Sequence, residues 1–158
     1  MLSRLLPRPF LRWISIGLLL LGAGIAVQAV AQQPQMQLPR TKLSAGMHVL
    51  DVQLAQTAQE RQIGLMFRKD MPQHEGMLFV FEQPATQCFW MRNTLIPLTA
   101  AFVADDGTIV NLADMKPQTD DSHCSTKPVR YVLEMNQGWF AKRSIAAGYK
   151  LGGAPFTR

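Results

Sequence analysis

The feature that most constrains the fold is a series of short apolar runs, each separated from the next by turn residues. Runs of this length suit β-strands, because helices in protein cores are usually ten residues or longer. Residues 98–103 and 108–112 flank Asp105-Asp106-Gly107, and Asp-Gly between two apolar runs is typical of a hairpin turn. Further strands are predicted at residues 48–54, 77–81, 88–91, 129–135 and 147–151.

The sequence patterns that predict helices cover only short segments. Thr57 and Glu60 are spaced as a capping box, in which each side chain accepts a hydrogen bond from the other residue's backbone amide. Apolar residues follow at helical spacing, so the sequence predicts a helix over residues 58–68 and one or two helical turns over 138–143. Gly64 costs that helix about 1 kcal/mol relative to alanine, and close packing against a neighbour would be one reason to keep it.

These elements together predict the α+β class, mostly β. We expect a compact barrel-like or sandwich-like domain of six or seven strands with one or two short helices. Residues 46–152 form this single globular domain. It is preceded by residues 32–45, which are rich in Gln and Pro and predict a flexible leader, and it is followed by a C-terminal tail over 153–158.

The first 31 residues have the pattern of a secretory signal peptide. Three arginines precede an uncharged apolar run over residues 13–27, and Ala29-Val30-Ala31 provides small residues at the two positions that signal peptidase reads. The apolar run is about 15 residues long, which is shorter than the roughly 20 that a spanning helix needs. We therefore expect cleavage after Ala31 and a periplasmic or extracellular protein. The alternative is an uncleaved membrane anchor over residues 13–31.

Much of the net positive charge of the full chain lies in the predicted signal peptide. The 158-residue chain has 16 basic and 11 acidic residues, a net charge of +5, and a hydrophobic fraction of 47% that argues against disorder. Removal of residues 1–31 takes away three arginines and no acid, which leaves about 127 residues and a charge of +2. The remaining basic residues form no stripe and do not alternate with aromatic residues, so nucleic-acid binding is not expected.

Several distinctive motifs follow one another along the chain. They are Glu60-Arg61, GLMFR at 64–68, GMLF at 76–79, FWMRNT at 89–94, IPL at 96–98, Leu133-Glu134 and Gly138. Over about residues 46–152 they resemble domain-of-unknown-function family 192, also called uncharacterised protein family 0127. The resemblance implies a small, mostly β, often exported domain and implies no particular reaction. One position departs from the family pattern, because Thr99 stands where an acidic residue usually follows IPL.

Cys88 and Cys124 are the only two cysteines, and an even number in an exported chain favours a disulfide. The bond would enclose about 37 residues and stabilise the fold by about 4 kcal/mol on the loop-entropy model. Two free thiols are an alternative, and so is a redox pair, although the spacing is not Cys-x-x-Cys. Residues 120–124 crowd polar side chains together, but ligands so close in sequence seldom converge on one metal. We therefore expect neither a metal nor another cofactor.

Methionines are frequent in the domain, and thioethers can bind Cu(I). Close Met-x-x-Met repeats are missing, so core packing is the better explanation for these side chains. Six of the methionines in the domain are Met66, Met71, Met77, Met91, Met115 and Met135.

The candidate ligand-binding residues lie in and near two of the family motifs. Guanidinium and amide groups beside aromatic rings suit an anionic or sugar-like ligand. The structural alternative is that Asn93 satisfies backbone groups and Arg61 pairs with a carboxylate such as Glu134. Because no nucleophile or paired carboxylates are evident, no catalytic residue is predicted. The candidates are Arg61, Arg68, Trp90, Arg92, Asn93 and Thr94.

The leading hypothesis is an exported envelope protein that binds a small ligand or a protein partner without catalysis. A second hypothesis is a small hydrolase or transferase in which Arg61 and Arg92 hold an anion and His123 or Asp121 acts as the base. A third is a copper or redox accessory protein. Contact with a membrane is expected only through the N-terminal segment, if that segment is not cleaved.

Overall fold

The computed structural model describes residues 33–156, so the predicted signal peptide over residues 1–31 lies outside the described residues. Most described elements are strands, which confirms the mostly β prediction. The helical elements are α1 (Ala58–Ile63) and a 3₁₀ turn (Ala141–Arg143). The strands are β1 (Arg40–Ala45), β2 (His48–Ala55), β3 (Glu75–Ala85), β4 (Cys88–Phe89), β5 (Leu98–Val103), β6 (Ile109–Met115), β7 (His123–Cys124) and β8 (Val129–Asn136).

Six strands form one sheet in the order β1-β2-β3-β8-β5-β6, and β4 pairs with β7 in a second, two-stranded sheet. All neighbouring strands of the large sheet are antiparallel except β2 and β3, which are parallel. A parallel pair needs a crossover connection, and α1 lies within that connection.

The large sheet is not a closed barrel within the described chain, because its edge strands β1 and β6 do not pair with each other. The C-terminal segment bonds to both edges instead. Ser44 of β1 exchanges backbone hydrogen bonds with Gly152, and Ile109 of β6 donates to the Tyr149 carbonyl at 2.9 Å. The predicted last strand over 147–151 is wrong, because this segment changes partner from β6 to β1 and makes only single bridges.

The predicted flexible leader over residues 32–45 is wrong for Arg40–Ala45, which form β1 and pair with β2. The segment has few apolar residues, but a strand at the edge of a sheet needs them on one face only. Leu43 and Ala45 provide that face and are buried. The residues before β1 also contact the domain, since the Gln35 amide donates to the Glu60 carbonyl at 2.8 Å.

The predicted helix over 58–68 ends at Ile63. Gly64 follows at φ 50°, a left-handed conformation that favours glycine and stops the helix. A Cβ atom at Gly64 would lie 3.1 Å from the Phe79 ring, so close packing does explain the glycine. The predicted capping box is present, with the Thr57 hydroxyl accepting from the Glu60 amide and the Glu60 carboxylate accepting from the Thr57 amide.

The two faces of the large sheet bury two apolar clusters. One cluster includes Tyr131 and Leu133 of β8 together with Trp139 and Phe140. The other includes Val132 of β8, and Phe89 of β4 packs against it. Core packing is confirmed for five of the six methionines, and Met66 is half-buried. The buried methionines are Met71, Met77, Met91, Met115 and Met135.

Candidate functional site

A cavity of about 310 Å³ lies among α1, β3, the β4 segment and β8. Four aromatic side chains contribute to its walls, and two buried polar residues, Thr94 and Glu134, also line it. Glu134 is 4% exposed. The aromatic lining residues are Phe79, Phe81, Phe89 and Trp90.

The aromatic wall depends on the short strand β4. Phe89 packs edge-on against Phe79, with 4.8 Å between the ring centroids. Within the described chain, β4 pairs with β7 through Cys88 opposite Cys124, and these two cysteines form the predicted disulfide. The bond therefore joins the cavity wall to β7.

Glu134 is the acidic residue of the cavity. It lies on β8 between Met77 of β3 and Ala100 of β5, and both neighbours are uncharged. Within residues 33–156, its carboxyl group makes no hydrogen bond. Burial raises the pKa of Glu134 to about 8, while the nearby charge of Arg68 acts in the opposite direction. At neutral pH the carboxyl group therefore keeps its proton and can donate a hydrogen bond.

Arg68 does not line the cavity, although the sequence grouped it with the other candidates. It is 4% exposed, and its guanidinium donates to the Gln35 carbonyl at 2.6 Å and to the Gln53 side chain. Burial lowers the pKa of Arg68, and the charges of Glu75 and Glu134 oppose that effect. Its role in this arrangement is electrostatic, because its positive charge lies near Glu134.

Arg61 lines the cavity, but its guanidinium is already engaged. It donates to the Gln56 carbonyl and, at 2.9 Å, to the Val80 carbonyl, and it forms an ion pair with Glu82 at 3.2 Å. The suggested pairing of Arg61 with Glu134 is therefore wrong. The exposed carboxylate of Glu82 on β3 is the partner instead, since the Glu134 side chain lies inside the fold.

Arg92 and Asn93 line a different depression from that of Glu134. Arg92 stacks on Trp90 at 4.3 Å and donates to Asp120 at 2.9 Å, and this hydrogen bond lowers the pKa of Asp120. Asn93 adopts φ 59°, and its backbone carbonyl accepts from the Phe67 amide at 2.9 Å. Asn93 therefore lies in a turn, where its main-chain carbonyl accepts this hydrogen bond.

Of the six predicted candidates, the fold brings Arg61, Trp90 and Thr94 to the Glu134 cavity. Sequence reasoning missed Glu134 itself as a site residue. A signal was available, because Glu134 interrupts the apolar run of β8, and a carboxyl group in such a position must either pair or change its protonation. Arg61 and Arg92 do not share a depression, and each has its own carboxylate partner.

Three further observations bear on the sequence hypotheses. The Thr99 hydroxyl donates at 2.5 Å to Asp114, which lies opposite on β6, so a carboxylate lies beside the position where Thr99 departs from the family pattern.

No group of three or more His, Cys, Asp or Glu side chains suited to a metal occurs among the residues that the structure describes. In that same range, no helix has the length and apolar character needed to cross a membrane.

The sequence and the fold both match known proteins. A family model, DUF192, described as "Uncharacterized ACR", matches residues 41–153. The chain belongs to DUF192. This confirms the resemblance found in the sequence, and the matched region also includes most of β1. No curated protein matches the chain.

Two solved structures are similar to this DUF192 protein. One is a protein from Sinorhizobium meliloti 1021, provisionally described as a transcription regulator. It is 34% identical with a TM-score of 0.72, and the alignment covers 76% of this chain and 98% of that chain. The other is a protein of unknown function from Novosphingobium aromaticivorans DSM 12444. It is also 34% identical, with a TM-score of 0.70 and coverage of 78% and 94%.

Proposed function

We propose that this protein is exported and binds a small, uncharged, sugar-like ligand in the Glu134 cavity. The observation that carries the proposal is the carboxyl group of Glu134, a residue only 4% exposed, in the lining of a cavity that also has four aromatic side chains. Ligand sites commonly combine apolar and aromatic walls with a few polar groups that fix orientation. The protonated Glu134 and the Thr94 hydroxyl would be those polar groups.

The arrangement favours an uncharged ligand over an anionic one. Arg61, the cationic residue in the lining, already has Glu82 as its counter-ion. A buried carboxyl group that resists ionisation would also repel an anion if it did lose its proton. The Phe79, Phe81, Phe89 and Trp90 side chains give the cavity apolar surface, which suits the C–H groups of a sugar ring.

A binding screen tests the ligand class. The full chain would be titrated with neutral monosaccharides and disaccharides, and in parallel with their uronic acid counterparts, while thermal unfolding is followed. We expect at least one neutral sugar to raise the melting temperature and its acidic counterpart to have a smaller effect. A stronger response to the acids, or no response to any sugar, would contradict the proposal.

The variants Glu134→Gln and Glu134→Leu test whether the Glu134 side chain contributes to ligand affinity through a hydrogen bond or only through its volume. Gln keeps a donor at the same position, so it should retain binding, whereas Leu fills a similar volume without a polar atom and should lose about tenfold in affinity. Arg130→Gln is the matched control, because Arg130 lies outside the cavity and pairs with Asp105. Equal affinity in all four proteins would show that Glu134 does not contact the ligand.

Export rests on the N-terminal motif, and a disulfide is typical of proteins from oxidising compartments. Expression in a Gram-negative host followed by N-terminal sequencing of the periplasmic fraction would test it. We expect a mature protein that begins at Gln32. Recovery of the chain in the cytoplasm with Met1 retained would refute export, and recovery in the membrane with residues 13–31 intact would support the anchored alternative.

We propose catalysis by Glu134 as a second candidate function. A general acid works best when its pKa lies near the working pH, and burial raises the pKa of Glu134 to about 8. If Glu134 donates a proton to a bound substrate, Glu134→Gln should bind that substrate normally but turn it over at least about a hundredfold more slowly. Chromogenic glycosides are suitable probes, and equal turnover in both proteins would remove this candidate.

A further inference from the structure

Another depression of the described chain has a volume of about 280 Å³. It is formed by the β1–β2 turn, the residues that precede β3 and the segment that follows β8. We infer that this depression is a binding site for a phosphate-type oxyanion, held by Arg143 and its neighbours. This inference is independent of the Glu134 cavity, which has a different lining.

The polar lining of the depression consists of groups able to donate hydrogen bonds. Arg143 contributes a guanidinium, Gln73 an amide, and His48 and His74 an imidazole each. Trp139 adds an indole, and the lining of the described chain includes no carboxylate. Donors from several directions, with no acid among them, are what the oxygens of a tetrahedral anion require.

The charge of Arg143 is not balanced by the protein within residues 33–156. Four of the other five arginines in that range form ion pairs with carboxylates, and the fifth, Arg68, is buried near Glu134. Arg143 instead donates to the Trp139 carbonyl at 3.0 Å and stacks on the Trp139 ring at 4.3 Å. A guanidinium held on an aromatic face without a counter-ion is positioned for an external anion.

Two buried nitrogen atoms strengthen this reading. The Trp139 Nε1 and the Arg143 Nε have no hydrogen-bond partner among the described residues. A buried donor without an acceptor costs about 1–3 kcal/mol, so native proteins rarely keep such groups without a reason. Both nitrogens belong to residues that line the depression, so the donors that the fold leaves unpaired lie in its wall.

The rim suggests where the anion could come from. Met47 is 89% exposed and Val49 is 63% exposed, and both line the depression. An oxyanion could belong to a free phosphate, or to a phospholipid headgroup whose acyl region contacts these apolar side chains. The chemistry that Arg143 recognises is the same in both cases, so the experiment must separate the two sources.

The full chain would be titrated with inorganic phosphate by calorimetry and, separately, sedimented with vesicles of phosphatidylglycerol or phosphatidylcholine. We expect phosphate to bind, and Arg143→Gln to weaken it by about tenfold or more. Arg130→Gln is the matched control, because it removes the same charge elsewhere and should change phosphate affinity less than about twofold. Binding to phosphatidylglycerol alone, lost in Arg143→Gln, would assign the headgroup as the source.

His74→Gln is the second variant, because His74 is exposed and its replacement should leave folding intact even if Arg143→Gln does not. It should weaken binding by a few-fold through loss of one donor. The inference is overturned if neither phosphate nor phosphatidylglycerol binds, or if Arg143→Gln and Arg130→Gln bind equally well.

Discussion

The two faces of β8 bury very different side chains. On one face Tyr131, Leu133 and Met135 are buried in an apolar cluster. On the other face Val132 is equally buried, but Glu134 follows it and lines a cavity. Both faces belong to the same strand with the same neighbours in the sheet. The difference between their buried side chains therefore depends on the segments that cover each face.

Large side chains such as Trp139 and Phe140 cover the first face. The second face is covered mainly by segments without regular secondary structure, which contribute Leu65, Met71, Met91 and Ile96, and a cavity remains beside α1 and β4. Proteins commonly depart from ideal core packing where a site is needed, and they maintain stability elsewhere. We infer that the first face stabilises the fold and the second face holds the candidate site.

The largest expected effect is a change in the free energy of unfolding at high pH when Glu134 is replaced by Gln. Burial raises the pKa of Glu134 from 4.5 to about 8, so the folded protein keeps a proton that the unfolded chain releases. Wild-type stability should therefore fall as the pH rises from 4.5 towards 8, and Glu134→Gln should lack this fall. Above about pH 8 the variant should be more stable by up to about 5 kcal/mol.

Urea unfolding at about pH 5, 7 and 9 measures this difference, with Glu82→Gln as the control. Glu82 is an exposed carboxylate on β3, so its replacement should leave the stability difference between pH values nearly unchanged. Parallel pH profiles for the wild type and Glu134→Gln would mean that Glu134 is solvated in the folded protein.

Removal of the disulfide should disrupt the second face selectively. Replacing Cys88 and Cys124 with Ala should cost about 4 kcal/mol, because the unfolded chain regains the entropy of a long loop. Urea unfolding would measure the loss, and a reducing agent should destabilise the wild type without affecting the variant. A variant as stable as the oxidised wild type would show that β4 and β7 are held by other contacts.

Leu133→Ala tests the first face. Leu133 is fully buried in the apolar cluster, so a cavity should form and the free energy of unfolding should fall by about 3 kcal/mol. Leu95→Ala is the control, because it is the same substitution at a residue that is 40% exposed. It should change the free energy of unfolding much less. Similar losses in the two variants, measured by urea unfolding, would contradict the assignment of this face as the main stabilising core.

The smallest effect on stability is expected for Trp90→Ala, on the wall of the cavity. Trp90 is 45% exposed, so its removal should change the free energy of unfolding by less than about 1 kcal/mol. Sugar binding should nevertheless weaken, because the side chain lines the cavity. Thermal unfolding with and without the sugar measures both effects, and a large loss of stability with unchanged binding would reverse the roles given to the two faces.

Much of the secondary structure could be predicted from the chain, because it depends on local patterns. The apolar run at 98–103 and the Asp-Gly turn after it predict β5, the Thr57–Glu60 spacing predicts the start of α1, and two cysteines predict the disulfide. Strand β1 was missed because an edge strand needs few apolar residues. The export signal stays a prediction.

The composition of the candidate sites was decided by the tertiary structure alone. Residues 61, 90 and 134 are far apart in the sequence, and only the packing of α1, the β4 segment and β8 brings them to one cavity. The same packing places Glu82 beside Arg61, so that the two form an ion pair. It gives Glu134 no ion-pair partner in the described chain. Local patterns specify which segments become strands and helices. Burial and charge pairing depend on residues from distant segments, so they determine the sites only once the chain is folded.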